Sequence, residues 1–133
     1  YYIMNNIPKF KIGSSGKILE INLIQGGMGV CVSLSGLASA VANEEGAGII
    51  ASVGIGLLKG YLGEYNGNYA KANQVGLIEE IGKARKKSNG VIGVNVMEAL
   101  SDYEDLVRIV VEEDVPLLFT GAGFFKGYTT GRP

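Results

Sequence analysis

The residues best placed to do chemistry stand where apolar runs break into glycine or a polar side chain. They are Gln25-Gly26-Gly27-Met28 after Leu23-Ile24, Ser52-Val53-Gly54 after Ile49-Ile50-Ala51, Asn95 near the end of Val91-Ile92-Gly93-Val94, and Thr120-Gly121-Ala122-Gly123 after Leu117-Leu118-Phe119. Where glycine removes the side chain, backbone N–H groups can touch a flat or anionic ligand directly. Asn95 brings an amide to an apolar strand, where it must find partners or be solvated, and it can serve a donor edge and an acceptor edge together. Met28 offers a soft thioether to an aromatic ring. Each also has a plainer use: glycine for a tight turn, Asn95 to cap its own loop, Met28 to fill a barrel mouth.

Other chemistries are excluded by composition. The chain has no histidine and one cysteine, Cys31, which removes Ser-His-Asp and Cys-His catalysis and the usual zinc sites from these residues. Cys31 has no basic neighbour in sequence to lower its pKa, so it reads as a small buried residue, and a lone cysteine fits a reducing cytoplasm. Gly27-x-Gly29, Gly54-x-Gly56 and Gly121-x-Gly123 lack the third glycine of a dinucleotide fingerprint. Gly16-Lys17-Ile18 and Gly82-Lys83-Ala84 are not phosphate loops. With 13 acidic and 12 basic residues the net charge is −1, and the basic cluster from Lys83 to Lys87 is the solvated face of a helix, so no nucleic-acid partner is expected. Residues 21–43 run uncharged for long enough to span a bilayer. They nevertheless contain four glycines, Asn22, Gln25 and three serines, and change period midway, so a buried βα unit is expected and no membrane span.

The elements that position these residues follow from periodicity. Phe10-Lys11-Ile12 and Ile18-Leu19-Glu20-Ile21 flank Gly13-Ser14-Ser15-Gly16 as a hairpin. Strands are expected at 23–25, 48–53, 91–96 and 116–120, each apolar on both faces as in a buried parallel sheet. Helices are expected at 34–43, 69–87 and from 101 onward. The first has Leu34, Leu37, Ala38 and Val41 on one stripe, with Ser33 or Ser35 as cap. The second turns Leu77, Ile78, Ile81 and Ala84 inward and pairs Glu79 with Lys83 outside. The third opens on a Ser101-x-x-Glu104 capping box and buries Tyr103, Leu106, Val107, Val110 and Val111. Strand starts at Leu23, Ile49, Val91 and Leu117 are 26, 42 and 26 residues apart, so the middle unit carries an insertion. Four strands alternating with three helices make an α/β fold, the first half of a (β/α)₈ barrel. A whole barrel takes about 250 residues, and the pattern fades over 124–133. The expectation is that residues 1–133 are an N-terminal fragment of one domain with an irregular tail, a small flavodoxin-like domain being the competing view.

Ile24-Gln25-Gly26-Gly27-Met28-Gly29-Val30, the run from Ser33 to Asn43, Gly93-Val94-Asn95-Val96-Met97 and Thr120-Gly121-Ala122-Gly123 together resemble the nitronate monooxygenases, formerly 2-nitropropane dioxygenases. The resemblance runs from about Ile7 to Gly123. It implies a TIM barrel, FMN as cofactor, and oxidation of alkyl nitronates by dioxygen. Carried onto this sequence, the backbone of Gln25, Gly26, Gly27 and Met28 would line the flavin, Asn95 would hydrogen-bond it and Gly121 would lie near it. Three departures stand out: Cys31 replaces a usual glycine, Asn22 a common proline, and Phe124-Phe125-Lys126 continues differently. The family's catalytic histidine and phosphate-binding glycine loops belong to the later half of the barrel, so the 133 residues alone are expected to be inactive.

Two other functions compete. The flavin-dependent enoyl-acyl-carrier-protein reductases share the barrel and very similar first-strand and Gly-Val-Asn motifs, and would use NAD(P)H to reduce a double bond. The long connection 57–76 tilts the resemblance toward the nitronate class. The third reading is a non-catalytic assembly module, two copies pairing through the open half-barrel face.

Overall fold

An antiparallel hairpin, β1 (Phe10–Lys11) and β2 (Ile18–Leu19), precedes a parallel sheet of β3 (Ala47–Ala51), β4 (Val91–Met97) and β5 (Leu117–Gly121), in the order β3-β4-β5. The computed structural model describes residues 8–13, 15–58 and 61–123. Ser14 of the hairpin turn, Lys59 and Gly60 of the long connection, the first seven residues and the expected tail 124–133 lie outside the described residues. Among the described residues, helices α1 (Ser35–Asn43), α2 (Tyr61–Glu64), α3 (Tyr69–Lys87) and α4 (Tyr103–Glu112) accompany the strands, with a 3₁₀ turn at Ile55–Leu57. This is a mixed α/β fold with the layout of a partial (β/α) barrel.

Strand alternation sorts the apolar residues into two layers. Ile50, Ile92, Val94 and Val96 point toward the helices and pack with Ala38, Leu77, Ile81, Leu106 and Val110. Ala47, Ile49 and Val91 point the other way, toward the barrel interior, with Leu117 and Phe119 beside them. Ile12 and Leu19 of the hairpin join this second layer, so the hairpin closes the amino end of the strands. The small residues of α1 and β3 let helix and sheet touch. A Cβ on Gly48 would sit 1.8 Å from the Ala38 carbonyl oxygen, and one on Gly90 would sit 2.3 Å from that of Ala42.

Several expectations are corrected. Residues 23–25 make one parallel bridge, Ile24 with Ala47, because the chain leaves the sheet at Gly26; three strands, not four, form the ladder. Neither Ser33 nor Ser35 caps α1. The Ser35 N–H instead donates to the Glu80 carboxylate of α3 at 2.9 Å, an anion against the positive helix end. Ile78 is exposed, and Glu80 takes the inward place beside Leu77 and Ile81. Lys83 reaches Glu80 at 2.8 Å as well as Glu79 at 3.5 Å. On α4 the capping box does not form: Asp102 is the N-cap residue and makes no side-chain cap bond. Ile109 is buried there in place of Val111, which stands 67 % exposed.

Candidate functional site

The glycine turn is held by side chains on its flanks. Gln25 sits at its start, and its Nε2 donates to the Ile49 carbonyl at 3.1 Å, the Gly26 carbonyl at 3.1 Å and Ser33 Oγ at 3.0 Å. Its Oε1 accepts from the Ile49 N–H at 3.2 Å. Ser33 Oγ accepts in turn from the Met28 N–H at 2.9 Å, and the Ser33 N–H returns a bond to the Met28 carbonyl at 2.9 Å. The Met28 backbone is therefore fully used, while its side chain is 63 % exposed. Among the described residues nothing accepts from the N–H of Gly26 or Gly27.

The four glycines of the mouth do two different jobs. A Cβ on Gly27 would lie 2.9 Å from Asn95 Cβ, and one on Gly29 2.8 Å from Val53 Cβ, so these two need glycine to pack. Gly26 and Gly121 have nothing within 4 Å in the Cβ direction and border open space. Asn95 stands in register with Ala51 on one side and Phe119 on the other, half-buried, at the carboxyl end of β4. No described residue hydrogen-bonds its side-chain amide. Gln25, Gly26, Gly27, Met28 and Asn95 are thus brought to one place. Gly121 lies one ladder step further out, opposite Met97, where its carbonyl accepts from the Glu98 N–H at 2.8 Å.

Other members of the expected ring fall away. Ser52 is fully buried and its hydroxyl has no partner among the described residues. Thr120 alternates with Phe119 and is exposed on the opposite face of β5 from Asn95. Asp102 is buried: its Oδ2 accepts from Asn73 Nδ2 at 2.8 Å, and Asn73 Oδ1 accepts from the Gly56 N–H at 2.8 Å. This chain ties the turn after β3 to the start of α4. Asn73 and Glu80 were not singled out by sequence as site supports. Their signal was a polar residue on the inward stripe of α3, where only partners inside the fold can satisfy it.

The backbone after the turn is strained. Val30 and Cys31 have φ of 52° and 63°, a region that suits glycine. Bonds from the Val30 N–H to the Val53 carbonyl at 2.7 Å and from Cys31 Sγ to the Gly54 carbonyl at 3.2 Å hold them there. Burial, and then the Glu80 carboxylate, push the Cys31 thiol above its ordinary value, which suits a packing residue and not a nucleophile. At Glu80 burial acts to raise the carboxyl pKa, but the Lys83 ammonium and the Ser35 donors outweigh it and hold the group below its ordinary value. Among the described residues no group of three or more His, Cys, Asp or Glu could hold a metal ion. None of their helices is long and apolar enough to cross a membrane.

No family model matches the chain, and no curated protein matches it. Among solved structures it is similar to FabK from Thermotoga maritima, at 30 % identity over 73 % of this chain with a TM-score of 0.52. A point mutant of the same protein matches at 30 % identity over 73 % of this chain, with a TM-score of 0.53. The chain spans 26 % and 28 % of the length of those two structures, about a quarter of each.

Proposed function

We propose that this chain forms one wall of an FMN site in a flavin-dependent oxidoreductase. The observation that carries the reading is the meeting of the Gly26-Gly27 turn with Asn95 at the carboxyl end of the strands, where (β/α) barrels place their active sites. The residues present fit the cofactor: two N–H groups without partners among the described residues, an amide able to donate and accept, and two glycines bordering open space. When bound, FMN would supply electron transfer to or from substrate. Gly26 and Gly27 would donate to acceptor atoms on the ring edge, Asn95 would fix its orientation, and the exposed Met28 side chain would lie against a ring face.

The FabK likeness favours the enoyl-acyl-carrier-protein reductase class, to which FabK belongs. Nitronate oxidation by dioxygen is the second reading, supported by the joint motif set and the long connection between β3 and α3. The later barrel units would supply the phosphate site and the acid–base group in either case. Titration of FMN with the purified chain tests the cofactor. The expected result is quenching of flavin fluorescence, weakened about tenfold or more by Asn95→Leu, the loss of a good hydrogen bond in a half-buried site. Absence of quenching at millimolar FMN rejects the reading for this chain. In a longer protein containing it, NADH oxidation dependent on a crotonyl thioester selects the reductase, and oxygen uptake with an alkyl nitronate selects the monooxygenase. Ile21, Leu23 and Ile24, each about half exposed along the edge of β3, speak for the assembly module, and a flavin-free dimer on a sizing column would favour it.

A further inference from the structure

We infer that Gln25 is a positioning residue whose side-chain amide replaces a rung of β-ladder and so releases the Gly27 N–H from the sheet toward the mouth. The inference rests on the proposed flavin site for its functional meaning, and on the ladder alone for its geometry. The free edge of β3 presents N–H and C=O groups at alternate residues. The first rung is ordinary backbone: the Ala47 N–H donates to the Leu23 carbonyl at 2.8 Å and the Gln25 N–H to the Ala47 carbonyl at 3.0 Å. In a continuing parallel ladder the next rung would use the Gln25 carbonyl and the Gly27 N–H against Ile49. Here Gln25 Oε1 accepts from the Ile49 N–H, and Gln25 Nε2 donates to the Ile49 carbonyl. One primary amide thus does the work of two backbone groups. The third position is closed by the Ala51 N–H donating to the Ser33 carbonyl at 2.9 Å.

The consequence is specific. An edge strand turns every other N–H and C=O outward, and a buried edge cannot lose a rung without leaving N–H and C=O groups unpaired. Glutamine alone resolves the conflict here, because it carries an acceptor and a donor on a stem of the right length. Glutamate has no donor, asparagine is one methylene shorter, and leucine has neither group. Ser33, only 1 % exposed, fixes the amide from behind and ties Met28 to it. The backbone can then turn at Gly26 while β3 remains satisfied.

Amide hydrogen exchange on the whole chain, with and without FMN, tests this. In Gln25→Leu the Ile49 amide should exchange about tenfold or more faster relative to Val94, which lies inside the β3-β4-β5 ladder, as expected for loss of one buried hydrogen bond. FMN quenching should weaken by a similar factor. Gln25→Glu keeps the acceptor for the Ile49 N–H and removes the donor to the Ile49 carbonyl, so Ile49 should stay closer to wild-type protection while FMN quenching weakens as in the leucine variant. Leu77→Ala, in the helix-side core, provides a destabilised control that should exchange faster overall without singling out Ile49 and should keep its FMN affinity once saturated with folded protein. Unchanged Ile49 exchange in Gln25→Leu overturns the inference. If the leucine variant does not fold, Ser33→Ala should speed exchange at Met28 and Ile49, and failure to do so overturns it equally. Because the Ile49 measurement needs no ligand, a wild-type chain that does not bind FMN would reject the flavin site and leave this result standing.

Discussion

At the amino end of the strands, polar groups find partners and backbones are pressed together. Lys17 Nζ donates to the Asn89 and Gly90 carbonyls at 2.8 and 2.9 Å, the Ile12 N–H meets the Lys17 carbonyl at 2.9 Å, and Gly90 lies against α1. The carboxyl end is built differently. Among the described residues Gly26 and Gly27 present N–H groups without partners and Asn95 an open amide, and Val30 and Cys31 hold positive φ. Ser52 Oγ and Asp102 Oδ1 are buried without partners among the described residues. One end is arranged for stability, and the other keeps the strain and unmet polarity that a ligand site uses.

Glycine substitutions break the comparison most sharply. Gly90→Ala should cost about 3 kcal/mol, because its Cβ would meet the backbone of Ala42 at 2.3 Å and the helix must shift. Gly26→Ala at the other end enters open space and should change stability by no more than about 0.5 kcal/mol. Denaturant unfolding of the two variants side by side decides the matter. Equal losses would mean that the two ends are not built differently.

That contrast also marks what the sequence could reveal. Helix α3 is read correctly at both ends, since Asn68 and Ser88 bound a long periodic run, and Asn68 Oδ1 accepts from the Lys71 N–H at 3.1 Å. The strand-to-glycine exits were also legible, because apolar runs and glycine are local signals. The roles of individual glycines were not: Gly26 and Gly27 are identical in sequence, and only the arrival of Asn95 from β4 makes one a packing glycine and the other an open one. The same holds for Gln25. Its partner Ile49 lies 24 residues away, so the missing rung of strand is invisible until β3 is beside it. Sequence alone points to Glu79–Lys83 as the helix pair, the local i, i+4 choice, and that pair forms at 3.5 Å. Glu80 is the buried partner because α1 brings the Ser35 N–H to it.

Glu80 gives the intermediate effect and links the two ends through the helix layer. Its carboxyl pKa lies below the ordinary 4.5, so the native state favours the ionised form. The stability it contributes is fully present above the unfolded-state value and is lost as pH falls below about 4.5 through the lowered native value. Glu80→Gln should cost about 1–2 kcal/mol at neutral pH, through the weakened cap on α1 and the loss of the Glu80–Lys83 ion pair. Below pH 4 the difference from wild type should shrink. A difference that stays constant from pH 7 to pH 3 would show that the cost is one of packing and not of charge.

The smallest expected effect has the opposite sign, and it tests the strain at the carboxyl end directly. Val30 is 64 % exposed, so little burial is lost when its side chain is removed, and its φ of 52° is unfavourable for a β-branched residue by about 1–2 kcal/mol. Glycine relieves that strain but adds freedom to the unfolded chain, which takes back roughly 0.5–1 kcal/mol. Val30→Gly should therefore stabilise the chain by about 0.5 kcal/mol, in contrast to the loss caused by filling Gly90. Cys31→Gly should gain less, because the Sγ bond to the Gly54 carbonyl goes with the side chain and offsets the relief at φ 63°. Calorimetric unfolding of the two variants against wild type orders them. A Val30→Gly variant less stable than wild type by 1 kcal/mol or so would mean that the Val30 side chain contributes more than its backbone costs. The unusual φ at the turn would then be a packing choice, and the strained end of the comparison would lose its best witness.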